Sequence, residues 1–280
     1  MILLDLSPTI YSTFLVTHDP STELDEGYIR HLILNSIRSY LTKFRSEYGK
    51  LVICCDSSDN WRKQLFPYYK AGRKKSRDNS GFDWDKVFGI MNKIRDEIRD
   101  NFPYKFMQVN TVEADDIIAV LSKKYANSTE KILIISVDKD FKQLQKYDNV
   151  KQYNTVKKEW VVCDDPLIFL KEHIIHGDKS DGIPNFLSDD DTFVSDKRQT
   201  PIRKAKLESW VTQQPEQYCD YRMMRNYTRN RNLIDMDYIP ENISSLILDE
   251  FAKPDLAKQS LYAYFMKHKL NNLMGSIGEF

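Results

Sequence analysis

Carboxylates follow apolar runs repeatedly in this sequence. Asp5 sits at the end of Ile2 to Leu6, and Asp56 closes Leu51 to Cys55. Glu113, Asp115 and Asp116 come just after Tyr104 to Val109, and Asp138 and Asp140 just after Ile132 to Val137. If these runs are strands of one open α/β sheet, all these acids reach the same edge, where sites form outside the strand ends. A single such acid needs no more than a helix N-cap role, which suits Asp116 and Asp140 best. Four strands delivering acids together is a different matter, because crowded carboxylates repel and some would have to protonate. A divalent cation removes that repulsion, and hard oxygen donors select Mg²⁺, with Mn²⁺ able to substitute. The acids exceed what one magnesium ion uses, so two ions are expected. Two carboxylate-held ions are the apparatus of phosphodiester hydrolysis.

Other phosphate chemistries lack their signatures. There is no GxxxxGK[ST] loop and no GxGxxG turn. The first strand ends Asp5-Leu6-Ser7, without a DxD pair, and no Ser or Cys triad is evident. His173 and His176 lie one helical turn apart but have no suitable third ligand in sequence, so they read as ordinary surface or core histidines.

A basic segment rises from the same edge. Arg62 to Arg77 (RKQLFPYYKAGRKKSR) holds seven basic residues and no acid, with Phe66, Tyr68 and Tyr69 among them. Cations neutralise phosphates and aromatic faces stack on unpaired bases, so the segment is expected to hold a nucleic-acid strand. A second set, Lys197, Arg198, Arg203, Lys204 and Lys206, precedes Trp210, and Arg222, Arg225 and Arg229 share a helical face. These could follow a duplex backbone without reading sequence, or could simply be an exposed helix.

Apolar periodicity supplies the elements that position these groups. Tyr28 to Tyr48, Trp84 to Ile98 and Ala114 to Tyr125 have helical spacing, while the four apolar runs are continuous rather than alternating. Continuous strands separated by helices predict an open, mostly parallel sheet covered on both faces. A short helix over Phe141 to Lys146, a hairpin from Val150–Tyr153 and Trp160–Val162, and a helix over Pro166 to Ile175 should follow. Beyond Gly182 the strand pattern ends. The expected division is an α/β domain over 1–182, with the basic segment at 61–83, and a small helical domain over 183–280.

Composition sets outer limits. The 280 residues carry 41 Lys+Arg against 41 Asp+Glu, which excludes a uniformly basic coat but not segregated charge. With 41% hydrophobic and 12% aromatic residues the chain can build a core. No stretch approaches the roughly 20 apolar residues of a membrane span, and no basic n-region suggests a signal peptide. Cys54, Cys55, Cys163 and Cys219 form no CxxC pair, which points to a reducing compartment.

The order of Asp5, Asp56, Glu113-Ala114-Asp115-Asp116, Asp138-Lys139-Asp140-Phe141 and Gly177-Asp178-Lys179-Ser180-Asp181-Gly182 resembles the 5′ nuclease, or flap endonuclease, family. Within it the phage ribonuclease H branch is the most similar, over nearly the whole length down to Ser276–Phe280. The resemblance implies two Mg²⁺ sites, the first served by Asp5, Asp56, Glu113, Asp115, Asp138 and Asp140, with Asp116 a further candidate ligand, and the second by Asp178 and Asp181. It also implies a bridge in which Lys70 contacts the scissile phosphate and Arg62 or Arg73 grips the 5′ strand. Lys63, Tyr69, Lys74 and Lys75 are the further contacts expected there, with Lys197, Arg198, Arg203 and Lys204 against duplex. Cellular members continue past Gly182-Ile183-Pro184 into a glycine-rich phosphate grip. Here Asp189, Asp190 and Asp191 follow instead, which leaves duplex contact or cation binding open.

The implied activity is 5′ to 3′ hydrolysis of RNA in RNA–DNA hybrids and of 5′ DNA ends or flaps. The implied setting is a monomer in the cytoplasm of a bacterial host, with single-strand-binding protein and sliding clamp as partners. The rival expectations are a PIN-type single-strand ribonuclease and a non-catalytic structure-specific binding protein.

Overall fold

The computed structural model describes residues 1–17, 25–255 and 258–280. Strand β1 (Ile2–Asp5) runs straight into helix α1 (Leu6–Thr17). Helix α2 (Glu26–Tyr48) starts at Asp25, whose carboxylate accepts from the Tyr28 N–H at 3.0 Å. After β2 (Leu51–Cys54) the basic segment is not a plain loop but contains two short helices, α3 (Arg62–Leu65) and α4 (Arg73–Asp78). Then come α5 (Trp84–Asn101), β3 (Lys105–Met107), α6 (Ala114–Lys124) and β4 (Ile132–Ile135). A 3₁₀ helix over Lys139–Lys146 stands where a short helix is expected. The hairpin β5 (Val150–Asn154) and β6 (Glu159–Val161) leads to α7 (Pro166–His176), and five more α-helices follow among the described residues. These are α8 (Lys204–Trp210), α9 (Tyr221–Ile234), α10 (Glu241–Ala252), α11 (Leu261–Lys267) and α12 (Asn271–Met274).

One six-stranded sheet has the order β3-β2-β1-β4-β5-β6, parallel except for β6 against β5. The chain builds outward from β1 through β2 to β3, then crosses back to lay β4 on the other side of β1. The strand order therefore reverses at β1 and β4, the switch point where open sheets form their sites.

Each strand's side chains alternate between two separate cores. Ile2, Leu4, Leu51, Ile53, Leu133 and Ile135 face α2 and α5, whereas Leu3, Val52, Cys54, Ile132 and Ile134 face α6. Both faces are dry, which is why the strands read as unbroken apolar runs. Burying each such Leu or Ile side chain contributes about 1.5–3 kcal/mol, and the rigid sheet edge above them rests on that sum.

Residues beyond 182 contribute to the cores on both faces of the sheet. Met236, Ile239, Ile243 and Ile247 pack with α6, while Tyr264, Phe265, Leu270, Leu273 and Phe280 close the opposite core beside Phe102. Residues between Ile183 and Ile234 join α7 and two rings of the basic segment, Phe66 and Tyr69, in a third cluster. Among the described residues no helix is long and apolar enough to cross a membrane.

Candidate active site

Asp5 is the last residue of the central strand, so its carboxylate sits at the switch point. It is buried, and Ser136 Oγ, just past β4, donates to its Oδ2 at 2.8 Å. Asp138 follows two residues later, and its Oδ1 accepts from the Asp140 N–H at 2.9 Å, capping the 3₁₀ helix. Asp138, not Asp140, is therefore the cap here. On the other flank of β1, Asp56 is exposed and its Oδ1 accepts from Ala114 N–H at 2.9 Å, the first amide of α6. Asp115 stands on the same first turn.

Electrostatics group these acids. Burial, then Asp56, pushes the Asp5 carboxyl well above its usual range. Burial, then Asp138 and Asp5, does the same to Asp115. Asp138 is raised by burial and then by Asp181 and Asp178, and Asp140 is raised to about 7 by burial, Asp138 and Asp178. These carboxyls feel each other and share a low-dielectric site, the condition that calls for cations.

A second set of acids is already compensated. Burial alone would raise Glu113, but Lys70 and then Arg62 outweigh it and hold its carboxyl at about 2. Lys70 Nζ pairs with Glu113 and lies 3.6 Å from Asp181 Oδ2, while Arg73 reaches Asp181 Oδ1 at 2.7 Å. The Tyr69 hydroxyl is 2.9 Å from both Glu113 Oε2 and Asp181 Oδ2, and can donate to one of them at a time. Asp178 is held well below the carboxylate range, because hydrogen bonds from His173, Lys139 and Ser180 overcome its burial. The same Lys70 charge also lowers Asp5, Asp115 and Asp138, which places it electrostatically among the uncompensated acids.

Several expectations are corrected by this network. Asp116 is fully buried, and its carboxylate takes Arg62 Nη2 at 2.7 Å, Trp61 Nε1 at 2.9 Å and the Glu113 N–H at 3.1 Å. With its oxygens so occupied it is a cap and ion-pair partner, not a free metal donor. Glu113 is likewise committed to Lys70 and Arg62. Arg62 does not face a strand: its buried guanidinium also donates to Glu113 Oε2 at 3.0 Å and to Leu233 O at 3.0 Å. Tyr69 is buried too, with no face open for stacking. The arginines of α9 face the acidic run, Arg222 pairing with Asp189 and both Arg225 and Arg229 with Asp190. Lys197 pairs with Asp191 at 2.8 Å.

His173, set aside in sequence, lies in the site. Its Nε2 is 3.1 Å from Asp178 Oδ2 and its Nδ1 is 3.4 Å from Asp140 Oδ1. The one available signal was its place five residues before Asp178 across the end of α7.

Two glycines fix the Asp178–Asp181 loop against the bridge. Gly177 has φ +68°, and a Cβ there would lie 2.3 Å from Ile183 O. At Gly182 (φ +73°) a Cβ would lie 2.8 Å from Tyr68 O. That close approach lets the Lys70 N–H donate to Asp181 O at 2.7 Å, with Lys70 itself held at φ +58°. A left-handed conformation costs a non-glycine residue about 1 kcal/mol or more, and here it turns the Lys70 ammonium into the acids.

Beside the acids opens a cleft of about 1200 Å³ between α4 and the 179–199 loop. Arg73, Lys75, Arg77, Lys179, Lys197 and Arg198 line it together with the rings of Tyr11, Tyr68 and Trp84. Among the described residues the one acid in its wall is Asp196, paired with Lys75 at 3.3 Å. Lys63, Lys74, Arg203 and Lys204 are exposed.

Comparison with known proteins accords with this layout. Residues 1–171 match the family described as 5′-3′ exonuclease, N-terminal resolvase-like domain, and residues 165–280 match the family described as T4 RNase H, C terminal. Ribonuclease H of Enterobacteria phage T4 is 37% identical, covering 99% of this chain and 95% of its own. A 5′-3′ exonuclease of Buchnera aphidicola is 28% identical over 66% of this chain and 64% of its own. The fold is shared with phage T5 5′-exonuclease carrying zinc ions (TM-score 0.63, 14% identity, 90% of this chain and 98% of that one). It is shared equally with the phage T5 flap endonuclease bound to DNA and metal ions (TM-score 0.62, 15% identity, 89% and 97%).

Proposed function

The chain belongs to the 5′-3′ exonuclease family, and from that premise we propose that it removes RNA from RNA–DNA hybrids and trims 5′ DNA ends or flaps, using two Mg²⁺ ions. The observation that carries this is the convergence of Asp5, Asp56, Asp115 and Asp138, from four chain segments, at one switch point with little internal compensation. Carboxylate oxygens are the donors a hard cation takes, and these four would hold the first ion. Asp140 would serve the second, with Asp178 and Asp181 at greater remove. When bound, such a pair supplies Lewis acidity to the phosphate, an acidified water and charge stabilisation for the leaving 3′ oxygen.

The chain's own residues orient and bind. Asp116 and Trp61 lock Arg62, Arg62 and Tyr69 steady Glu113, and Glu113 holds Lys70 toward the acids. A phosphate entering there meets an ammonium already in place, which offsets charge that grows in the transition state. Arg62 is thus a positioning residue, and Lys70 the one that would touch substrate. The cleft receives the 5′ strand, its cations on phosphates and Tyr11, Tyr68 and Trp84 against bases. Arg203 and Lys204 would meet duplex, with Arg198 at the cleft's edge between the two. The same proposal makes the enzyme a cytoplasmic monomer working beside single-strand-binding protein and a sliding clamp.

The test is a 5′-labelled RNA–DNA hybrid incubated with Mg²⁺ and then with EDTA. Short products from the 5′ end in Mg²⁺ alone are expected. Cleavage confined to single-stranded RNA, or binding without cleavage, would contradict the proposal.

A further inference from the structure

We propose that His173 Nδ1 and Asp140 form a nitrogen–oxygen site for the second cation, with Asp178 behind the imidazole fixing it, so that this position prefers Mn²⁺ to Mg²⁺. The inference rests on the two-cation reading above and adds to it a ligand and a metal preference.

One ligand atom each from Asp140, His173 and Asp178 lies within 4.8 Å of the others. Asp178 Oδ2 accepts from Lys139 Nζ at 2.7 Å and faces His173 Nε2 at 3.1 Å, and Oδ1 accepts from the Ser180 N–H at 2.7 Å. A carboxylate engaged in this way is purely an acceptor, so Nε2 must be the donor. That leaves the Nδ1 edge of a buried ring turned to Asp140 Oδ1 at 3.4 Å. The Asp140 oxygen is itself buried and has no hydrogen-bond partner. With Nδ1 unprotonated and Asp140 ionised, these two atoms face each other out of water, which is costly unless a proton or a cation lies between them.

A cation satisfies both. Neighbouring ligand atoms about 2.1–2.2 Å from a common octahedral ion lie about 3.0 Å from one another, so the observed 3.4 Å needs a closing of a few tenths of an ångström. A carboxylate on the far nitrogen is also the usual support of a metal-bound histidine, because it fixes the tautomer and raises ligand basicity. Mg²⁺ is small, demands a near-ideal octahedron and parts reluctantly with water; Mn²⁺ shares its liking for oxygen but, as a first-row transition ion, takes one imidazole nitrogen more readily than Mg²⁺ does.

The test uses the full chain with Mn²⁺ alone, counting bound metal from the loss of the free-ion EPR signal. Electron spin-echo modulation then reads nitrogen at the bound ion. Two Mn²⁺ per chain are expected, one carrying an imidazole nitrogen coupling that His173→Gln removes and His176→Gln keeps. His173→Gln should weaken that class of Mn²⁺ tenfold or more and leave the other class unchanged. Two bound Mn²⁺ with no nitrogen coupling in the unaltered protein would overturn this inference while leaving the two-cation reading in place. Failure to bind Mn²⁺ at all would overturn the two-cation reading itself. The unaltered protein's spectrum decides the matter even if His173→Gln does not fold.

Discussion

Replacing Asp140 by Asn should make the metal-free protein more stable, although it removes a residue of the site. The Asp140 carboxyl rises from its usual 3.8 to about 7 on folding, driven first by burial and then by Asp138 and Asp178. The folded state therefore holds that proton more tightly than the unfolded chain, and stability falls as pH climbs from about 4 to about 7. A rise of that size corresponds to about 4 kcal/mol lost once both states are ionised, roughly 1.5 kcal/mol of it by pH 5. Asn keeps the shape and carries no charge, so the loss should vanish.

Glu113 and Asp178 do not confuse the comparison. Their carboxyls are lowered by folding, so their stabilisation is complete above the usual carboxylate range and constant through this window. His268, lowered first by burial, works in the opposite sense near neutrality but is common to both proteins. Urea unfolding in EDTA at pH 5 and pH 8 should show the unaltered protein losing about 2–3 kcal/mol more than Asp140→Asn. Saturating Mn²⁺ should then stabilise the unaltered protein more than the variant. An Asn variant equally or less stable at pH 8 would refute the idea that this carboxylate is held in place at an electrostatic cost.

Other outcomes follow from the same network. Asp138→Asn should abolish hydrolysis while hybrid binding, read by fluorescence anisotropy, stays within a few-fold. Arg62→Met should cost about 3–5 kcal/mol in urea unfolding, because it strands Asp116 and part of Glu113 in the interior. An Arg62 variant that unfolds normally but binds the hybrid poorly would restore its strand-gripping role. Gly182→Ala should leave a folded chain whose turnover falls about 10- to 100-fold, since its Cβ displaces the Tyr68–Lys70 turn.

The sheet and the carboxylate edge were legible because both depend on short-range pattern. Leu51 to Cys55 and Ile132 to Val137 are unbroken since each strand faces two cores, and the acid ending such a run is fixed at the sheet edge by geometry alone. Helix α1 escaped notice. Its buried Leu6, Ile10 and Phe14 are spaced four apart, but the apolar run of β1 flows into them and Pro8 suggests a break. Pro8 is tolerated in the first turn, where amides lack intrahelical partners. What sequence could not show was which acids already have cations. Asp116 meets Arg62 across 54 residues, and Asp190 meets Arg229 across 39. Those pairings depend on the packing of the bridge and α9 and leave no local trace. Through them Asp116 and Glu113 are already paired with Arg62 and Lys70, and the arginines of α9 with Asp189 and Asp190. His173 escaped for a similar reason, since its partner Asp140 lies on another element.

Anomalous diffraction from a crystal soaked in Mn²⁺ tests the core of the matter most directly. Manganese within about 2.2 Å of oxygens from at least two of Asp5, Asp115 and Asp138 is the predicted result. Manganese absent from between them, with Lys70 still serving as their counter-charge, would contradict it.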